Sequence, residues 1–276
     1  MKKRLIIAAV VILAAVVTVV LIRRAGNGRD QGAIVASGNV EVTEVNVAFK
    51  IPGRVTTLFT DEGKPVKAGE KLAILDSAEY ASQVAQSRAV LENTNAQLEK
   101  AKSDYARAEI LFKKEAISAQ QVEAAKTTYD VALAQIRQSA ASLSTSEVRL
   151  GDSVLYAPVS GVVLRKNVEA GETVAVGTPI FTIGDLENPW IKVYVKEDKL
   201  GLVKLGQKAQ VKTDSYPGKF YDGAITYISS EAEFTPKNVQ TQEERVKLVF
   251  GVKVSVTNVN EELKPGMPAD VKILLK

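Results

Sequence analysis

The sequence predicts an elongated, multi-domain α+β chain. Its parts are an N-terminal transmembrane helix, a small β unit split into two halves, an antiparallel coiled-coil α-hairpin between those halves, and a small antiparallel β-barrel. Three observations carry this prediction. Residues 5–22 are apolar except for Thr18. Large apolar residues recur every seven positions through residues 84–150, with one reset of phase. Residues 53–75 are echoed 108 positions later by residues 161–183.

The apolar run follows Met1-Lys2-Lys3-Arg4 and is closed by Arg23-Arg24. At 1.5 Å per residue it is about 27 Å long, close to the hydrocarbon thickness of a bilayer and longer than a signal-peptide core. This predicts an uncleaved inner-membrane anchor, with residues 1–30 as anchor and linker and residues 25–276 in the periplasm. A cleaved signal peptide is the competing reading, but no small-x-small cleavage site stands out just after the run. The chain has no cysteine to acylate, which excludes a lipoprotein.

Residues 1–30 hold Lys2, Lys3, Arg4, Arg23, Arg24 and Arg29 against Asp30, a net of +5, which leaves −1 of the chain's +4 for the remainder. No basic surface argues for nucleic acid. With no Cys and no His, thiol nucleophiles, disulfides, the usual zinc sites and His-based acid–base catalysis are excluded. No residue is assigned a catalytic, cofactor-binding or metal-binding role.

The hairpin, residues 77–152, rests on two heptad series: Val84, Leu91, Leu98, Tyr105, Phe112, then Val122, Tyr129, Ile136, Leu143, Leu150. The phase breaks at Glu115-Ala116-Ile117-Ser118, the pattern of two helices folded back on each other. Three residues after most knobs stands a small residue (Ser87, Thr94, Ala101, Ala108; Ala125, Ala132, Ser139, Ser146), which lets the backbones approach. Capping boxes are expected at Asp76 with Glu79 and at Ser118 with Gln121, each with its apolar staple: Leu75 with Tyr80, and Ile117 with Val122. Such a hairpin projects roughly 50 to 60 Å.

On either side lies the repeat. Gly53, Val55, Gly63, Val66 and Gly69 fall on Gly161, Val163, Gly171, Val174 and Gly177. Short β-prone runs with glycine turns at fixed offsets mean two copies of one unit, residues 47–76 and 153–185, that bury their apolar faces on each other. These halves resemble those of a biotinyl/lipoyl domain, including the entry Ala157-Pro158-Val159-Ser160-Gly161. No Glu-Ala-Met-Lys or Asp-Lys-Ala tip exists for a carrier lysine, and the hairpin takes its place.

Anchor, split lipoyl-like repeat, inserted hairpin and β domain, in that order, resemble the periplasmic adaptor, or membrane fusion protein, family of the hemolysin-D type. The resemblance covers nearly all of residues 34–276. In adaptors that dock on TolC-type outer-membrane channels, the hairpin turn carries Arg, then Leu four positions on, then Ser seven further; Arg107, Leu111 and Ser118 fall on that pattern. The resemblance implies that Leu111, between two polar anchors, meets the channel's helical tips. Structural roles also exist for these residues: Ser118 as an N-cap, Arg107 beside Asp104, Leu111 flanking the seam.

Residues 186–276 turn to period two. Strands are expected at residues 190–195, 208–212, 223–228, 246–256 and 269–275, with one or two helical turns at 197–203. Residues 31–46 add a lead-in strand that packs on the barrel. Leu205-Gly206-Gln207 and Pro265-Gly266-Met267-Pro268-Ala269 resemble phrases of the family's barrel. The polar stretch 231–245 reads as a surface loop. Around Phe234, Thr235, Pro236, Lys237 and Asn238 it also resembles a loop of adaptors that serve ABC-type exporters, which implies contact with a transporter or a neighbouring protomer.

The function expected is a non-enzymatic adaptor without cofactor. It joins an inner-membrane exporter, ABC-type in preference to proton-driven, to a TolC-type channel, and assembles with itself as the hexamer the resemblance implies. A coiled-coil tether, or an accessory subunit of an exporter lacking an outer-membrane channel, is the alternative; a biotin or lipoyl carrier subunit is a third.

Overall fold

The computed structural model describes residues 32–234 and 248–275, so the expected anchor lies outside the described residues. No described helix is long and apolar enough to cross a membrane. The chain forms two compact units, Glu44–Gly184 and Met1–Thr43 with Asp185–Lys276.

In the first unit two four-stranded antiparallel sheets form a sandwich. One has the order β2 (Glu44–Ala48), β9 (Pro179–Gly184), β7 (Gly161–Lys166), β4 (Pro65–Val66). The other has β6 (Val154–Tyr156), β5 (Lys71–Leu75), β3 (Gly53–Leu58), β8 (Thr173–Val174). The shift of 108 positions carries β3, β4 and β5 onto β7, β8 and β9. It also carries β2 onto the segment holding β6, so the repeat begins one strand earlier than the glycines indicate. The halves exchange their shortest strands: Val66 pairs with Gly161, and Gly53 pairs with Val174. Neither half is complete alone, as the repeat predicts.

The turn glycines explain the fixed offsets. Gly63 and Gly69 have φ of +76° and +80°, and their counterparts Gly171 and Gly177 have +99° and +79°. A side chain would strain each of them. The sandwich core is dense: Phe49, Val55, Leu72, Ala73, Leu75, Ile180, Phe181 and Ile183 are all essentially fully buried.

From this base rises the hairpin of α1 (Ala78–Lys113) and α2 (Ala119–Gly151), helices of 36 and 33 residues that are about 54 and 50 Å long. The box expected at Asp76 with Glu79 does not form. Ser77 occupies the N-cap position and makes no side-chain cap. Asp76 instead accepts from the Ala78 N–H at 3.2 Å and from the Arg54 guanidinium at 3.0 Å, tying α1 to β3. The Tyr80 hydroxyl donates to the Pro52 carbonyl at 2.7 Å, and its ring packs on the sandwich core with Leu75.

The seam follows the heptads with one inversion of weight. The residues it buries are mostly small: Ser87, Thr94, Ala101, Ser139 and Ser146, with Val84 the one large side chain among them. Leu91, Leu98, Tyr105, Tyr129 and Ile136 are half-buried. A two-helix ribbon has no third layer to cover its large knobs, whereas the small positions lie where the backbones close in. The hydroxyls of Ser87 and Ser146 meet across the seam at 3.0 Å.

The second unit is a closed six-stranded barrel in the order β1 (Ala33–Glu41), β10 (Trp190–Lys196), β13 (Leu248–Val256), β12 (Tyr221–Phe234), β11 (Lys208–Thr213), β14 (Pro268–Leu274). The strand β1 closes it by pairing with β14 on one side and β10 on the other, which leaves no free edge. Ile191, Val193, Val211, Val252, Val254, Leu263, Val271 and Ile273 fill the interior. Strand β12 runs longer than period two predicts because it is irregular between Ile225 and Tyr227 and between Ile228 and Ala232. A single helical turn, α3 (Glu197–Leu200), follows β10.

Candidate functional site

The hairpin turn lies between the predicted tip residues: Arg107 and Leu111 precede it on α1, and Ser118 follows it as the N-cap of α2. Helix α1 ends with the N–H groups of Glu115 and Ala116 donating to the Phe112 and Leu111 carbonyls, at 2.8 and 3.0 Å. This is a Schellman ending, and its left-handed residue is Glu115, with φ +56°, where glycine is usual. Two residues beyond Ala116 the capping box at Ser118 is complete. The Ser118 Oγ accepts from the Gln121 N–H at 3.3 Å, and the Gln121 side chain accepts from the Ser118 N–H at 2.9 Å. The turn is therefore fixed by backbone bonds on both sides.

Arg107 and Leu111, four apart on α1, share a helical face. Arg107 is exposed and pairs with Asp104 at 3.7 Å, a contact worth little in water, which leaves the guanidinium available. Leu111 is 37% exposed, and its neighbours Ile110 and Phe112 are 55% and 46% exposed. Phe112 was expected in the seam. It is uncovered because the seam ends there: α2 begins only at Ala119. Ile110 was missed, although an isoleucine off the heptad in the last turn of a solvated helix is the signal that finds it. The tip thus presents three consecutive large apolar residues with Arg107 behind them and Ser118 on the facing helix.

Below the tip the rings of Tyr105 and Tyr129 stack across the seam, centroids 5.9 Å apart and 16° from parallel. The Tyr105 hydroxyl donates to Glu109 at 2.9 Å, and that carboxylate raises its pKa. Chemically the tip offers an apolar contact surface flanked by hydrogen-bonding groups on a rigid support. Among the described residues no group of acidic side chains is placed to hold a metal ion.

Of the second predicted contact, Thr235, Pro236, Lys237 and Asn238 lie outside the described residues. Phe234 closes β12, where its backbone pairs with Leu248.

Comparison with known proteins places this geometry. Residues 43–185 match the family model of a CzcB-like barrel-sandwich hybrid domain, and residues 191–273 that of a YknX-like β-barrel domain. A UPF0194 membrane protein of Citrobacter koseri is 30% identical over 292 residues, covering 87% of this chain and 88% of its own. One from Yersinia pestis is 29% identical over 296 residues, covering 88% and 90%. The crystal structure of MacA from Actinobacillus actinomycetemcomitans superposes with a TM-score of 0.71 at 25% identity, covering 89% of this chain and 79% of that one. The membrane fusion protein Spr0693 from Streptococcus pneumoniae shares the fold, with a TM-score of 0.70 at 21% identity and coverage of 88% and 99%.

Proposed function

The chain belongs to the membrane fusion protein family of periplasmic adaptors, and on that premise we propose that it bridges an inner-membrane exporter to a TolC-type outer-membrane channel. The observation that carries this reading is the tip: Ile110, Leu111 and Phe112 exposed at the end of two capped helices, between Arg107 and Ser118. Large apolar residues exposed around the end of a rigid, strand-anchored shaft suit it for docking.

The remaining parts follow from that role. Residues 5–22 anchor the chain in the inner membrane, with the sandwich, hairpin and barrel in the periplasm. The chain catalyses nothing; the exporter, of the ABC type by the resemblance of residues 234–241, supplies the energy. Copies assemble side by side as a hexamer, and Val90, Val131 and Val148, exposed on the flanks of the helices, are available for lateral packing.

Export by cells carrying Arg107→Asp or Ser118→Arg tests the docking role. The expected result is lost export at unchanged membrane level of the protein. Normal export by both variants contradicts channel docking and favours an accessory subunit of an exporter without such a channel.

A further inference from the structure

We propose that the turns joining α3 to β11, residues 201–207, seat on an anionic phospholipid surface. This rests on the reading of residues 5–22 as a membrane anchor.

Two consecutive turns shape the segment. The N–H groups of Leu202 and Val203 donate to the carbonyls of Lys199 and Leu200 at 3.1 and 3.0 Å, and that of Gln207 to Lys204 at 3.2 Å. Gly206, with φ +76°, supplies the left-handed position that the second turn requires. Val203 between the turns is buried in the barrel core, so Leu202 and Leu205 on either side point outward, 54% and 67% exposed. Gln207 locks the arrangement: its Oε1 accepts from the Lys204 N–H at 2.8 Å, and its Nε2 donates to the Leu274 carbonyl at 2.9 Å. The leucines are therefore displayed by a rigid frame, and docking them orders little further chain.

The groove they border, about 570 Å³, is lined also by Lys204, Lys208, Leu274 and Leu275. The Leu275 N–H donates to the Gly32 carbonyl at 2.9 Å. This face of the barrel is thus the one at which the N-terminal segment enters β1. Nine residues separate Ile22 from Gly32, a span of at most about 35 Å when fully extended. An anchored chain holds Gly32, and with it this end of the barrel, near the lipid surface.

Charge completes the match. Lys199, Lys204 and Lys208 are exposed around the leucines, against Glu197 and Asp198 on α3. Leucines that enter the acyl boundary while lysine ammonium groups stay at phosphate depth are the arrangement of an interfacial segment. A purely apolar protein contact has no use for the lysines.

The chain has no native cysteine, so Leu205→Cys can carry an environment-sensitive fluorophore in the full chain. It is reconstituted into phosphatidylcholine vesicles containing phosphatidylglycerol. Val259→Cys is the control: it is exposed in the β13–β14 loop, which Gly266 ties to Val40 at the other end of β1 from Gly32. The expected result is blue-shifted emission at position 205, with quenching by lipids spin-labelled near the head group, and neither effect at 259. Lys204→Gln combined with Lys208→Gln is expected to lower the ratio of inserted to free loop roughly thirtyfold, and phosphatidylcholine alone is expected to lower it too. Label behaviour at 205 identical to 259, in a chain that resists alkaline extraction, overturns this inference and leaves the anchor standing. Extraction of the chain by alkali overturns both. Burial of position 205 only when the exporter is present overturns the lipid assignment in favour of a protein partner.

Discussion

The sandwich and the hairpin belong to one compact unit, yet they are stabilised in different ways. In the sandwich Leu72, Ile180, Phe181 and Ile183 have no exposed surface. In the hairpin seam serines, a threonine and an alanine take most of the buried positions, and the large knobs stay half in water. Hydrophobic burial holds the first together; the second relies on helical hydrogen bonds, two capped ends and close backbone contact. A small residue three positions after most knobs gives the hairpin its slimness and leaves the large knobs partly in water. The sandwich is a clamp, and the hairpin is a shaft whose surface remains available.

This contrast is tested most strongly by truncating each region. Phe181→Ala should cost about 3–5 kcal/mol and expose sandwich amides to hydrogen exchange, because the cavity it leaves cannot collapse between two sheets. Leu98→Ala should cost less, about 1–2 kcal/mol, since that side chain keeps part of its surface in water and its removal leaves no enclosed cavity. Its faster amide exchange should be confined to α1 and α2. Equal losses at the two positions would break the distinction between clamp and shaft.

At the tip the expected sign reverses. Glu115 holds a left-handed backbone without being glycine. Glu115→Gly should therefore raise denaturant stability by about 0.5–1 kcal/mol. A loss would mean that the Glu115 side chain makes a stabilising contact at the turn.

The smallest effect concerns the joint between shaft and clamp. The Ala78 N–H, and after it Arg54, hold the Asp76 carboxyl below its ordinary pKa. A lowered folded-state pKa contributes stability that is complete above the unfolded value, about 4, and disappears as pH falls through the folded value. Asp76→Asn should slightly lower stability at neutral pH and flatten the acid limb of the stability curve. An unchanged acid limb in an unfolding series from pH 7 to pH 2 would show that the Ala78 and Arg54 contacts do not stabilise the carboxylate.

The legible features in the sequence were those written by local periodicity or by glycine. The heptads mark both helices, and Ser118 with Gln121 marks the start of α2, because nothing competes for those groups. Asp76 with Glu79 has the same local signature and fails, because Arg54, distant in sequence, takes the Asp76 N–H on its carbonyl and leaves the Glu79 side chain no donor there. The split repeat is visible through Gly63, Gly69, Gly171 and Gly177, whose backbone geometry admits little else. Its first strand, Glu44–Ala48 against Val154–Tyr156, is invisible, since a two-sided pairing can be made with dissimilar residues. Strand β12 outruns its period-two signal because its irregularities interrupt the alternation. At the tip the choice of Arg107, Leu111 and Ser118 rests on spacing and resemblance, and their contact with a channel is the proposal made above. The exposure of Ile110 and Phe112 was not legible, because it depends on where the facing helix begins.

The central claim is that this tip meets an outer-membrane channel. A photo-cross-linker attached to Ala116→Cys, in cells that make the full chain, tests it most directly. Ala116 is exposed on the turn, and the substitution introduces the chain's sole cysteine. The expected result is capture of an outer-membrane channel protein, diminished when Leu111 is replaced by Asp. Capture of the protein itself alone, or of nothing, would contradict it.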